Sequence, residues 1–118
     1  MESIENLEWV TASLELLKAF AENGGQRAVF AGSCIEYDWR YGFMSEELTP
    51  LAQGSLYGIA KNALHDVAAA YAARQRISFA WGRVFFLYGD GEKRERLVPS
   101  LIDAFLHGRT PELRCLDV

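Results

Sequence analysis

Tyr57 and Lys61 stand four residues apart in the stretch Ser55-Leu56-Tyr57-Gly58-Ile59-Ala60-Lys61, at the start of an apolar-periodic run. In a helix, residues i and i+4 share a face, so the phenol and the ammonium project together. A free phenol ionises at about pH 10 and is a poor base in neutral water. A cation beside it and the positive end of a helix N-terminus both favour the phenolate. The pair is therefore either ordinary solvated helix surface or a proton donor and acceptor usable at about pH 7. Ser33 is the third group, closing the run Ala28-Val29-Phe30-Ala31-Gly32-Ser33. Its hydroxyl would leave the C-terminal end of a strand, where open α/β sheets build their sites, and would bond the same substrate oxygen as the phenol.

Two strands and a helix must hold these groups. Leu7, Val10, Leu14, Leu17 and Ala21 recur at three- and four-residue intervals and predict a first helix of about five turns, ended by Asn23-Gly24-Gly25. The unbroken apolar run Ala28 to Ala31 reads as a strand covered on both faces of a parallel sheet. Residues 34–54 show no sustained period and carry Gly42, Pro50 and Gly54, which predicts a long loop. Loops of that length in compact domains are usually functional or disordered. Ser55 is placed to N-cap a second helix, with a core stripe of Ala60, Ala63, Leu64, Val67, Ala70 and Tyr71. Ile77 to Trp81 reads as a second strand, and Leu97, Leu101, Ile102, Phe105 and Leu106 mark a third helix closed by His107-Gly108. Glu112 to Cys115 reads as the opening of another strand. This alternation predicts an α/β layer with right-handed crossovers. So small a parallel sheet leaves an edge bare, and the chain reads as part of a larger one.

The 118 residues, half of them hydrophobic, suffice for one core. A net charge of -4, a pI of about 5.1 and twelve basic residues without a long run argue against nucleic acid as a partner. Lys18, Arg27, Lys61 and Arg83 interrupt every apolar stretch well short of the roughly 18 residues that cross a bilayer, so no membrane is expected. The opening Met-Glu-Ser-Ile-Glu-Asn is acidic where a secretory signal is basic. Cys34 and Cys115 lie far apart and suit a reducing compartment. The expected location is cytoplasmic.

The other reactive side chains have plainer readings. Cys34 reads as a small buried thiol, and Gly32-Ser33-Cys34 is no Gly-x-Ser-x-Gly elbow. His65 and His107 lack partners at metal-ligand spacing and read as surface histidines, so no metal is expected. Glu36 and Asp38 alternate around Ile35 and Tyr37, either as an acid/base pair or as a solvated loop, the second being preferred. Arg83 either pairs with a carboxylate or approaches substrate. Arg94 and Arg96 precede the third helix and read as exposed. Trp9, Trp39 and Trp81 read as packing, with Trp39 and Tyr41 also able to border a site.

The segments VFAGSCIEYD, EELTP, SLYGIAK, WGRVFFLYGDGE and RLVPSLIDAFLHG, in that order, resemble the central part of an extended short-chain dehydrogenase/reductase. More narrowly they resemble the NAD-dependent epimerase/dehydratase family that acts on nucleotide sugars. The resemblance implies that Ser33 is the catalytic Ser/Thr, Tyr57 the acid/base, and Lys61 the lysine that grips the nicotinamide ribose and lowers the tyrosine pKa. It implies NAD or NADP as cofactor, contacted by Ser33, Tyr57, Lys61 and Val84. Cys34, Glu36, Phe86, Arg96 and Leu97 are the implied substrate contacts, and Arg94 and Arg96 are implied to face a substrate phosphate. Asn6 falls near the asparagine of the preceding helix, and Glu46 or Glu47 near a glutamate before Thr-Pro. Phe86 stands where relatives carry an asparagine that touches the sugar nucleotide.

No Gly-x-Gly-x-x-Gly opens a strand–helix unit here. The expected fold is therefore α/β, part of a Rossmann-like doubly wound parallel sheet lacking the N-terminal dinucleotide-loop half. One partial domain is expected over residues 1–118, with about 84–118 leading into the substrate-binding region. The implied function is an NAD(P)-dependent epimerase, dehydratase or reductase acting on a nucleotide sugar, this chain being the catalytic segment of a longer enzyme. A homodimer would form through the helices of residues 1–23 and 55–74. The alternative is a non-catalytic truncated α/β fragment unable to bind the dinucleotide alone.

Overall fold

The first apolar stripe forms helix α1, Glu5–Glu22, in a computed structural model that describes residues 1–52 and 54–111. Leu17 is its buried anchor, while Leu7, at the start of the same stripe, is exposed. Gly24 follows at φ 79°, the left-handed conformation that ends helices and that glycine adopts without steric cost.

Strand β1, Arg27–Ser33, and strand β2, Ser78–Val84, pair in parallel from Arg27 opposite Ser78 to Ser33 opposite Val84. Parallel neighbours need a crossover, and helix α2, Leu56–Gln75, supplies it. Its buried face runs Ala60, Leu64, Ala68 and Ala72, a spacing of four, with Gly58 also buried two residues before Ala60. Ala60 and Leu64 were expected there, but Ala63, Val67 and Ala70 are exposed. Small side chains win the inner positions because α2 packs against both α1 and the sheet, and alanine lets backbones approach. Arg76 turns the chain into β2 in the left-handed conformation, φ 57°.

The two faces of the sheet differ. Phe30, Phe79 and Trp81 form one face, with Phe30 stacked on Trp81 at 6.1 Å and tilted against Phe79 at 5.6 Å. From α2, His65 sets its ring edge against Trp81 at 5.2 Å. His65 is thus a half-buried packing residue, a correction to the surface reading. Val29, Ala31, Ala80 and Gly82 form the other face and are exposed, Val29 to 79%. The expectation that β1 is covered on both faces fails among the described residues because one crossover helix covers one side only.

The long loop has two short 3₁₀ turns, Cys34–Glu36 and Trp39–Tyr41. Its neck is closed by Asp38 N donating to Pro50 O at 2.8 Å and Ala52 N to Glu36 O at 2.7 Å. The Asn62 side chain on α2 donates to Ala52 O at 3.2 Å, pinning that neck to the helix.

The chain divides into two compact units, Met1–Phe85 and Phe86–Val118. The second holds helix α3, Leu97–Leu106, where Ala104 is buried and Ile102, Phe105 and Leu106 are exposed. The strand expected from Glu112 lies outside the described residues. Among those described, no helix is long and apolar enough to cross a membrane.

Candidate active site

Helix α2 begins where Ser55 stops being helical: its extended backbone turns the hydroxyl onto Gly58 N, which donates at 3.2 Å. That cap satisfies one of the free amides of the first turn and fixes where the helix starts. Tyr57 is the second helical residue and Lys61 the sixth, so the sequence spacing becomes a shared face. The Lys61 ammonium lies 6.0 Å from the centre of the Tyr57 ring and 5.8 Å from that of Trp81. These separations lie at the outer reach of cation–π attraction.

Lys61 Nζ also donates to Ala31 O at 2.8 Å. The bond crosses from α2 to β1 two residues before Ser33. One helical turn earlier, Gly58 lies against the turn after Ser33: a Cβ there would sit 3.1 Å from Ile35 O. The two contacts bracket Ser33 along the chain. The helix end carrying Tyr57 is thereby fixed to the strand end carrying Ser33.

Ser33 is half-buried and closes a reciprocal cap. Its Oγ accepts from Ile35 N at 3.3 Å, while its own backbone N–H donates to Glu36 Oε1 at 2.7 Å. Val84, the residue expected to touch cofactor, is the strand neighbour of Ser33. Asn6 lies in α1, donates to Met1 O and Ser3 O, and lines with Tyr57 and Lys61 a cavity of ≈ 210 Å³ between α1 and α2. Ser33 and Val84 thus lie side by side at the strand ends, Lys61 is bonded to β1 two residues before Ser33, and Tyr57 shares its cavity lining with Lys61 and Asn6.

Glu36 departs from the reading of a solvated loop. Its side chain is 0% exposed and pairs with Arg83, whose Nε donates to Oε2 at 2.6 Å. The Trp81 indole donates to the same oxygen at 3.0 Å. Burial works against the Arg83 charge, but the hydrogen bond and charge of Glu36 outweigh it and hold the guanidinium above its ordinary pKa. Arg83 thus takes the carboxylate partner, one of its two expected readings. With no exposed surface, the Glu36 carboxylate has nothing to offer a sugar directly. Asp38, two residues on, does what was expected of both acids: it pairs with Arg40 at 2.6 Å near solvent, and that hydrogen bond holds its carboxyl below the usual range.

Cys34 is buried, in line with its reading as a packed thiol, and its carbonyl accepts from the Trp39 indole at 2.9 Å. Glu46 lines a recess of ≈ 320 Å³ with Tyr37 and Arg83, and Glu47 is exposed. Phe86, Arg96 and Leu97 belong to the second unit; all three are exposed, Arg96 as the cap of α3 and Leu97 as its first residue. Arg94 and Arg109 line a recess there, where Asp103 pairs with Arg109. No group of three metal-binding side chains exists among the described residues.

The model of the NAD dependent epimerase/dehydratase family matches residues 6–117, nearly the whole chain. The chain belongs to that family. Its fold is that of part of a Rossmann-like sheet. A UDP-N-acetylglucosamine 4-epimerase from Methanobrevibacter ruminantium M1, solved in complex with UDP-N-acetylmuramic acid, superposes with a TM-score of 0.69 over 86% of this chain at 21% identity. This epimerase/dehydratase segment spans 34% of that protein's chain. No curated protein matches it.

Proposed function

We propose that this chain supplies the proton-handling residues of an NAD(P)-dependent epimerase, dehydratase or reductase acting on a nucleotide sugar. The observation that carries the reading is the Lys61–Ala31 bond at 2.8 Å, which ties the Tyr57 turn of α2 to the Ser33 end of β1. Tyr57 exchanges the proton of a sugar hydroxyl as that carbon is oxidised or its carbonyl reduced. Ser33 Oγ holds the same oxygen in line. Lys61 stabilises negative charge on the phenol oxygen as the proton leaves.

An ammonium has three N–H donors, and the Ala31 carbonyl engages one, so Lys61 fits a second task of gripping ribose hydroxyls. Val84, beside Ser33, would pack on the nicotinamide. When bound, the nicotinamide supplies hydride acceptance and donation. The segment from about residue 84 onward would lead into the sugar-nucleotide site, with Phe86, Arg96 and Leu97 as contacts and Arg94 near phosphate. Exposed Leu7, Trp9, Leu16 and Phe20 on α1, with Ile59 and Val67 on α2, would form the face of a homodimer. The location we infer is cytoplasmic, with residues 1–118 acting as one partial domain.

A second reading rests on the open face of the sheet: the chain is non-catalytic and persists by pairing that face or edge with another polypeptide. Fluorescence titration of the chain with NADH and NADPH separates the two. The catalytic reading expects saturable binding that Lys61→Met weakens at least tenfold. Absence of binding at about millimolar cofactor, where association is worth only about 4 kcal/mol, contradicts the idea that this chain is by itself an enzyme.

A further inference from the structure

The Glu36 carboxylate is fully enclosed, and the proton chemistry above makes no use of it. Three N–H donors converge on it: the Ser33 amide on Oε1 at 2.7 Å, and the Trp81 indole and Arg83 Nε on Oε2 at 3.0 and 2.6 Å. The first comes from the last residue of β1 and the other two from β2. One side chain therefore cross-links the strand ends where the backbone ladder stops at Ser33 and Val84. Gly32 leaves room for this: a Cβ at that position would collide with the Trp81 indole nitrogen and lie 2.6 Å from Glu36 Oε1. Arg83 is held in turn by Tyr37, with its Nη1 donating to the phenol oxygen at 3.4 Å and its guanidinium 4.9 Å from the ring centre. A carboxylate is buried only at a cost that pairing and hydrogen bonding must offset. Here the donors that offset it include the amide of the residue whose hydroxyl must be aimed.

We propose that Glu36, gripped by Arg83 and Trp81, is a positioning residue that fixes Ser33. Its carboxylate takes the Ser33 N–H and so holds the serine hydroxyl at the strand end. The proposal rests on the reading of Ser33 as the group that aligns the sugar hydroxyl. It accounts for an acidic residue inside the turn, where a ligand contact would require exposure.

The test compares Glu36→Met, Arg83→Met and the double variant. Either single change strands one member of a buried pair and is expected to lower the melting temperature sharply. Replacing both with apolar side chains is expected to restore most of it. In the folded double variant the Ser33 amide proton, followed by NMR, is expected to move upfield, since a charge-assisted hydrogen bond is gone. Turnover of a UDP-sugar is expected to fall by up to about a hundredfold with KM little changed, the signature of a misplaced group. Glu36→Gln keeps an acceptor oxygen in nearly the same shape, so its amide shift and turnover should fall between wild type and the double variant. A Ser33 amide unmoved in the double variant overturns the proposal, as does unchanged turnover. Should the wild-type chain itself show no turnover, it is not an enzyme on its own, and the amide position decides alone whether Glu36 holds Ser33.

Discussion

The sheet presents two unlike faces, and the contrast explains where this chain invests its packing. On one face Phe30 and Trp81 form ring contacts, with His65 of α2 against Trp81, while Gly32 and Arg83 meet the Glu36 network, and the Lys61–Ala31 bond ties α2 to β1. On the other, the side chains of Val29, Ala31 and Ala80, with Gly82, are exposed. Side chains alternate across a strand, so each residue of β1 and β2 belongs wholly to one regime. The covered face bears the groups that hold the candidate active site, and substitutions there should cost far more than on the open face.

Gly32→Ala should show the largest loss of stability. Its new methyl group enters the space of the Trp81 indole and the Glu36 carboxylate, and we expect about 3 kcal/mol, the upper end of overpacking costs. Urea unfolding followed by Trp fluorescence measures it, and a variant as stable as wild type would mean the covered face is loosely packed. Arg76→Gly should act oppositely. The left-handed φ of 57° is strained for arginine and natural for glycine, so this variant should gain about 1 kcal/mol, read as a higher melting temperature. Val29→Thr sits on the open face and should change stability by less than about 0.5 kcal/mol. A large loss there would reveal that something covers that face in solution.

The order of elements was legible because each has a local signature: the three- and four-residue stripe of α1, the Ser55 cap, the apolar strand runs and the His107-Gly108 stop. The Tyr57–Lys61 pairing was equally legible, since i,i+4 geometry needs no tertiary information. What escaped was non-local. Whether an apolar run is covered on one face or two depends on how many layers reach it, which the run does not encode. Glu36 and Asp38 look alike in sequence, yet one lies beneath Arg83 and Trp81, forty-five and more residues away, and the other beside Arg40 at the surface. The signal that could have separated them was Arg83, the lone charged residue of β2, which calls for an acid as partner. The inner stripe of α2 was misjudged in part for a related reason: size complementarity with two neighbours selected Ala68 and Ala72 over Val67.

The account depends most on Tyr57 handling the proton while Lys61, tied to β1, stands beside it. Its most direct test is turnover of a UDP-sugar by Tyr57→Phe, alongside NADH affinity measured by fluorescence. Removing the phenol oxygen while keeping the ring should lower turnover by at least about a hundredfold and leave NADH affinity within about twofold of wild type. Turnover that survives the substitution would contradict the account.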